Sequence, residues 1–278
     1  MVDGKSEQKV ALVTGASSGM GKDFARALLS EGMVVYAAAR RVGQMNDLKQ
    51  LGAIPLKMDV TNEEDLQAAV RTIAADHGGV DVLINNAGVA LFGAMEDFSV
   101  AEARYQFDVN LFGAARLTQL VLPGMRKKQA GKIINISSLA GKMHAPLGSW
   151  YHASKHALEG WSDCLRLELA QFNIDVVIIA PGAIATEMIA TMSEPMIGRS
   201  GNGPYGKTAH ALASFFRKSF EKNGASPPVV ITDLVIKAVR ARRPRTRYSA
   251  GKHSMLVPFL HRWLSDRTFD KLVMASVK

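Results

Sequence analysis

Short, unbroken apolar runs alternate along the chain with longer stretches in which apolar side chains return every three or four positions. Residues 9–14 (Lys-Val-Ala-Leu-Val-Thr) read as a buried strand ending in a glycine turn, and 24–29 then carry apolar residues at helical spacing until Gly32 stops them. Further strands are expected at 33–39, 54–58, 80–85, 132–137, 174–180 and 246–250. Between them, 62–76 place Leu66, Ala69, Val70 and Ile73 on one side of a helix. A long helical region spans about 100–127, another runs 151–172, and one more covers about 231–242. Strands that are apolar throughout, rather than alternating, suit a sheet covered on both faces. Repeated βα units predict an α/β fold: a single-domain, Rossmann-like, doubly wound parallel sheet with helices on both faces.

After Pro181 the pattern loosens. Residues 188–207 are rich in Gly, Ser, Pro and Met and read as a mobile segment with a short helix near the sheet's C-terminal edge. On this reading 1–278 form one domain, with a variable lobe at about 186–225 and a partly helical, amphipathic C-terminal extension at about 251–278.

Composition narrows the possibilities. A hydrophobic fraction of 47% with 21% charged residues is enough to bury a sizeable core. The one cysteine, Cys164, excludes an internal disulfide and a multi-thiolate metal site, and its helical surroundings predict a buried thiol. No metal is expected. The count fits a reducing compartment. The polar N-terminus lacks the apolar run of a leader, and no stretch approaches the roughly 20 apolar residues of a membrane span, so a cytoplasmic location is expected. The formal net charge is +9, with Arg240, Arg242, Arg243, Arg245 and Arg247 crowded together. Without interleaved aromatic residues or a DNA-reading motif, that cluster reads as solvated surface and predicts no specific nucleic-acid partner.

The first turn, Thr14-Gly15-Ala16-Ser17-Ser18-Gly19-Met20-Gly21, follows a strand and opens a helix. Glycines there let the backbone approach a pyrophosphate, and the helix N-terminus offers free N–H groups. The spacing is Gly-x-x-x-Gly-x-Gly rather than Gly-x-Gly-x-x-Gly. The second strand ends in Arg40-Arg41, with no acid at its tip. A carboxylate there would take a ribose 2′-OH, whereas guanidinium attracts a 2′-phosphate. Arg40, with Arg41 second, therefore points to NADP(H) over NAD(H). Asp59, beside Val60, either accepts from an adenine amino group or simply begins the next helix. Asn85-Asn86-Ala87-Gly88 ends the fourth strand; its small residues permit close backbone approach, and its amides can bridge strands or hold adenosine.

Tyr151 and Lys155 stand one helical turn apart on one face of a long helix. A free phenol titrates near 10, and making it a useful acid–base at neutral pH needs roughly 4 kcal/mol of preferential phenolate stabilisation. A neighbouring ammonium favours phenolate, so Lys155 together with a cationic nicotinamide in a dry site is expected to lower Tyr151. Lys155 can also bond the nicotinamide ribose. Ser138 ends the fifth strand, where ligands sit in such sheets, and its hydroxyl can stabilise a substrate oxygen as charge develops. Ser137 should point to the opposite face. Asn110, inside a helix, could hold a water that links Lys155 to solvent. Met188, Met192, Met196 and Tyr205 suggest an adaptable apolar pocket, which Leu91, Phe92, Met143, His144 and Trp150 could also line.

Taken in order, residues 14–21 and 85–88, Asn110, Ser138, Tyr151, Lys155 and Pro181-Gly182 resemble the motifs of the short-chain dehydrogenase/reductase family over roughly residues 8–190. The resemblance implies that Ser138, Tyr151 and Lys155 are catalytic, that Asn110 completes a proton relay, and that the turn at Pro181 and Gly182 meets the nicotinamide. It places Ile184 and Thr186 at the carboxamide. It also implies a homodimer or homotetramer formed through the helical regions at 100–127 and 151–172. The arginine after the second strand resembles NADP-dependent members, and Phe259, Leu260, Trp263 and Leu264 in the extension loosely resemble steroid- or retinol-type relatives. The expected activity is hydride transfer between NADP(H) and a carbonyl or alcohol of an apolar substrate. The alternative is a catalytically silent sensor or scaffold that binds NADP(H), and the intact Ser-Tyr-Lys set argues against it.

Overall fold

A computed structural model of the chain describes residues 8–185, 188–220 and 224–277. The strands are β1 (Val10–Thr14), β2 (Val34–Ala39), β3 (Ile54–Lys57), β4 (Val82–Asn85), β5 (Gly131–Ile136), β6 (Ile174–Pro181) and β7 (Arg247–Ala250). They form one sheet in the order β3-β2-β1-β4-β5-β6-β7, with every pairing parallel. The order reverses between β1 and β4, which opens a crevice beyond their C-terminal ends. This is the doubly wound α/β architecture that the sequence predicts.

The helices are α1 (Gly19–Ser30), α2 (Asn46–Gln50), α3 (Glu63–His77), α4 (Val100–Phe107), α5 (Gly113–Lys128), α6 (Ser149–Leu169), α7 (Met188–Ser200), α8 (Gly206–Phe220), α9 (Val229–Arg240), α10 (Leu256–Trp263) and α11 (Asp266–Ser276). Side chains alternate across β1: Ala11 and Val13 join the core beneath α1 and α9, whereas Val10 and Leu12 join the core beneath α3, α5 and α6. Both faces are therefore dry, which explains the continuous apolar runs. Local chemistry sets the helix ends. Asn62 caps α3 by accepting from the Asp65 N–H at 2.9 Å, and Gly78 closes it in the left-handed region. Ser99 and Glu102 form a capping box at the start of α4.

Three expectations are corrected. The segment 188–207 is not a loose stretch with one short helix. It contains α7 and the start of α8, and Met192, Met196, Leu212 and Ala213 bury a third, smaller core with Ala90, Phe92, Ala140, Tyr151 and Val277. Its glycines and Pro195 weaken local propensity, and tertiary burial overrides them. The helical region at 100–127 is interrupted by π-helical bonding over Asp108–Phe112, centred on Asn110. Cys164 is exposed rather than buried, because α6 turns that position away from the sheet.

Among the clustered arginines, Arg242, Arg243 and Arg245 are exposed. Arg240 pairs with Glu31 at 2.6 Å, and Arg247 bonds both Glu159 at 2.7 Å and Asp163 at 3.1 Å.

Candidate active site

The crevice is built around the β1 turn. Gly15 and Gly19 have φ of 67° and 53°, a region that favours glycine. A Cβ at Gly21 would lie 2.4 Å from both the Gly15 carbonyl oxygen and the Asn86 amide nitrogen, so only glycine fits without backbone movement. Ser17 is buried, Ser18 and Met20 are half-buried, and Gly19 is exposed. Ser18 precedes α1 without capping it through its side chain, so the first N–H groups of that helix stay open toward the crevice.

Thr14, which sequence reasoning noted only as the start of the motif, holds the two central strands together. Its hydroxyl donates to the Ile84 carbonyl at 3.3 Å and accepts from the Asn86 and Ala87 N–H groups, each at 2.9 Å. The Asn86 side chain donates back to the Thr14 carbonyl at 2.9 Å. Asn85 bridges strands, donating to Asn135 on β5 at 2.8 Å, and Asn135 donates in turn to Ser162 on α6 at 2.8 Å. This buried amide chain fixes the height of α6 against the sheet. Nothing in local sequence singles out Asn135 or Ser162; their partners lie dozens of residues away.

Arg40 sits exposed at the tip of β2, bonded to the Tyr105 hydroxyl at 3.2 Å and 3.8 Å from the Asp59 carboxylate. Arg41 is exposed beside it. Asp59 accepts from the Thr61 backbone and hydroxyl at 3.0 and 2.8 Å, as a residue leading into a helix does. A Cβ at Gly113 would lie 2.5 Å from the Val60 carbonyl oxygen, so Val60 is pressed against the start of α5.

Tyr151 and Lys155 are both buried on α6. The Lys155 ammonium donates to the Ile136 carbonyl at 3.0 Å, and a Cβ on Gly88 would lie 3.8 Å from its nitrogen and 3.3 Å from the Asn110 side-chain oxygen. The lysine thus reaches from α6 to the loop after β4. Burial lowers Lys155 to about 8, with the Glu159 carboxylate opposing the fall. Burial raises Tyr151, opposed by a hydrogen bond with Ser138. In the protein alone, desolvation of the phenolate outweighs the Ser138 hydrogen bond.

The Ser138 hydroxyl also accepts from the Ala140 N–H at 3.1 Å. Ser137 is buried beneath, its oxygen 2.9 Å from where a Cβ on Gly141 would stand. Both ends of the Asn110 amide are engaged. Its oxygen accepts from the Val89 N–H at 2.8 Å, and its nitrogen donates to the Val89 carbonyl at 2.9 Å and to Ser154 at 3.0 Å. The π turn gives Asn110 this aim, clamping the β4 loop to α6.

On the substrate side, Phe92 packs on Tyr151 with ring centroids 5.4 Å apart, and Met192 and Met196 bury against the same cluster. Two expected lining residues lie elsewhere. His144 bonds Asp270 at 2.8 Å and stacks with His261 and Phe269 of the C-terminal helices. Trp150 packs on Phe107 between α4 and α6. Tyr205 is partly exposed and turned toward Glu96. Thr186 and the Met188 side chain fall outside the described residues. Pro181 ends β6, and the Gly182 N–H donates to Ala250 at 2.8 Å. The Ile184 side chain packs toward Gly251 in the main core, which leaves only its backbone for the crevice.

The short chain dehydrogenase family model matches residues 9–196. Among curated proteins, the chain is 41% identical over 247 residues to 3-ketodihydrosphingosine reductase of Bacteroides thetaiotaomicron, covering 88% of each. It is 33% identical to NADPH-dependent 3-dehydrocapnine reductase of Ornithobacterium rhinotracheale, covering 97% of this chain and 98% of that one. A short-chain dehydrogenase of Streptomyces avermitilis superposes with TM-score 0.81 at 31% identity, covering 97% and 96%. A metagenomic short-chain oxidoreductase solved with NADP gives 0.69 at 29% identity, covering 87% and 96%. Among the described residues, no helix is long and apolar enough to cross a membrane. With its glycine cradle at the reversal of strand order and a buried Tyr-Lys pair beside it, the chain belongs to the short-chain dehydrogenase/reductase family of nicotinamide-dependent oxidoreductases acting on CH–OH or C=O groups.

Proposed function

We propose that the chain is an NADP(H)-dependent carbonyl reductase or alcohol dehydrogenase with an apolar substrate. One observation carries this reading: Tyr151 and Lys155 are buried on one face of α6, with Ser138 bonded to the phenol, beside a turn that tolerates no side chain at Gly21. The cradle fits a dinucleotide. Gly15, Ser17, Ser18, Gly19, Met20 and Gly21 would take the pyrophosphate, Asp59, Val60, Asn86, Ala87 and Gly88 the adenosine side, and Pro181, Gly182, Ile184 and Thr186 the nicotinamide. Arg40 and Arg41 would hold a 2′-phosphate. When bound, the dinucleotide supplies or accepts the hydride.

The remaining chemistry belongs to this chain. A phenol raised by burial stays protonated at neutral pH, so Tyr151 is poised to give its proton to a carbonyl oxygen. Ser138 donates to the same oxygen as its charge grows. Lys155 stabilises the phenolate left behind and reaches the ribose. Asn110 positions the β4 loop against α6. Phe92, Met192 and Met196 form an apolar wall beside Tyr151, and two relatives named for reducing 3-ketodihydrosphingosine and 3-dehydrocapnine point to the same substrate class. Phe112 and Leu167 are exposed in the region expected to pair copies of the chain, which supports a homo-oligomer there.

The test is NADPH and NADH oxidation across aldehydes and ketones of increasing chain length, with Tyr151→Phe as control. Turnover with NADPH that grows with substrate apolarity supports the reading. Flat absorbance with both cofactors across the panel overturns it.

A further inference from the structure

The helix α10 is amphipathic the wrong way round for a helix that serves only the fold. Leu256, Phe259 and Trp263 stand at positions that share one face, and all three face solvent, with Met255 just before them. Their exposures, 57% for Leu256, 59% for Phe259, 71% for Trp263 and 79% for Met255, leave more than half of each side chain to solvent. The Phe259 and Trp263 rings lie 6.3 Å apart, so the patch is continuous along the helix. Val257, Leu260 and His261 are half-buried, and His261 packs on Phe269 at 4.8 Å. The helix is therefore seated by its weaker face and presents its stronger one.

The charge beside the patch is positive. Residues 251–278 carry five lysines and arginines against two aspartates, besides His253 and His261. Arg262 is exposed on α10 beside the apolar stripe, and Arg267 and Lys271 are exposed on α11. A second copy of so basic a surface would be repelled, whereas an anionic bilayer would be attracted. An amphipathic helix with Trp, Phe and Leu on one side and cationic residues at its rim lies in a membrane interface without spanning it.

We infer that α10, steadied by α11, docks this protein on the surface of anionic lipid bilayers. The placement gives the contact a consequence. The chain enters α10 from Gly251 and Lys252, which pack on the turn at Gly182 and Ala183. α11 ends in Val277, which is buried in the same cluster as Tyr151 and Phe92. Docking would set the mouth of the cleft at the lipid surface, whatever carbonyl the site takes.

The experiment is co-sedimentation of the full chain with vesicles of phosphatidylcholine alone and of phosphatidylcholine mixed with phosphatidylglycerol, at low and moderate salt. Wild type is expected to sediment with the anionic vesicles and to be weakened by salt. The double substitution Phe259→Ser with Trp263→Ser should reduce binding at least about tenfold while keeping the wild-type Tm. Should that variant unfold, Arg262→Glu with Lys271→Glu serves instead and should lose the anionic preference. Wild type remaining in the supernatant overturns the proposal, as does undiminished binding by both variants. So does a dimer that the first variant splits and that shows no vesicle binding, which would assign the patch to a second copy.

Discussion

The β1–α1–β4 crevice and the lobe with its C-terminal helices solve different problems with the same chain. In the crevice, backbone approaches backbone so closely that one added methyl group at Gly21 would meet a carbonyl oxygen at 2.4 Å. Thr14, Asn85 and Asn86 leave little freedom between strands. Across the cleft, Arg199 and Ser200 tie down the end of α7, the Ser200 hydroxyl accepting from the Ala94 N–H at 2.9 Å. Arg199 donates to the Phe92 carbonyl and to Glu102, each at 2.6 Å, and lies over the Phe98 ring at 4.3 Å. Much of the described wall is methionine and aromatic packing, which can rearrange at low cost. One side must hold an invariant dinucleotide and the other a variable substrate, and the density of fixed contacts differs accordingly.

The comparison is broken most severely at its hinge. Tyr151→Phe should lower kcat by about 10³-fold, within the range for a positioned acid, and leave dinucleotide affinity within about twofold; steady-state rates and cofactor fluorescence titration check both. Next in size, Gly21→Val should abolish measurable dinucleotide binding and lower stability by about 1–3 kcal/mol through overpacking, seen as a fall in Tm. Arg40→Asp should then weaken NADPH binding by about 1.5–3 kcal/mol, the worth of a charge-assisted hydrogen bond, with little change for NADH. Equal wild-type affinities for the two cofactors would remove Arg40 from this role. On the opposite wall, Arg199→Ala should raise KM severalfold with kcat nearly unchanged, because it loosens the lobe without touching the proton donor.

A separate prediction concerns pH. Lys155 is held near 8 in the folded protein against an ordinary 10.5, so the unfolded chain binds the extra proton between those values. Burial therefore costs stability below about pH 8, on the order of 3 kcal/mol, and the cost fades as pH rises toward 10.5. Lys155→Met removes the charge but leaves the Ile136 carbonyl without its donor. It should be inactive yet at least as stable as wild type at neutral pH, with the difference in Tm shrinking toward pH 10. A difference that grows with pH would contradict the sign.

Much of the site is readable because its requirements are local. A glycine turn after a strand, an arginine at a strand tip and a Tyr-Lys pair one turn apart declare themselves within a few residues. What escapes is set by partners far along the chain. Trp150 looks like a cleft residue until α4 packs beside it, and His144 until α11 folds back 126 residues later. The helix α8 hides behind glycine-rich flanks, since only burial against Phe92 and Tyr151 makes its apolar face matter.

The sequence by itself determined the alternation of strands and helices, the place of the glycine turn and the spacing of Tyr151 and Lys155 one helical turn apart, because periodicity and steric need act over one or two turns. Only the tertiary structure decided that Tyr151 is buried with its phenol raised, that Asn110 ties the β4 loop to α6, that Cys164 faces outward and that α10 turns its apolar side to solvent. Each of these depends on desolvation and packing summed over the whole fold, which no short window of residues contains.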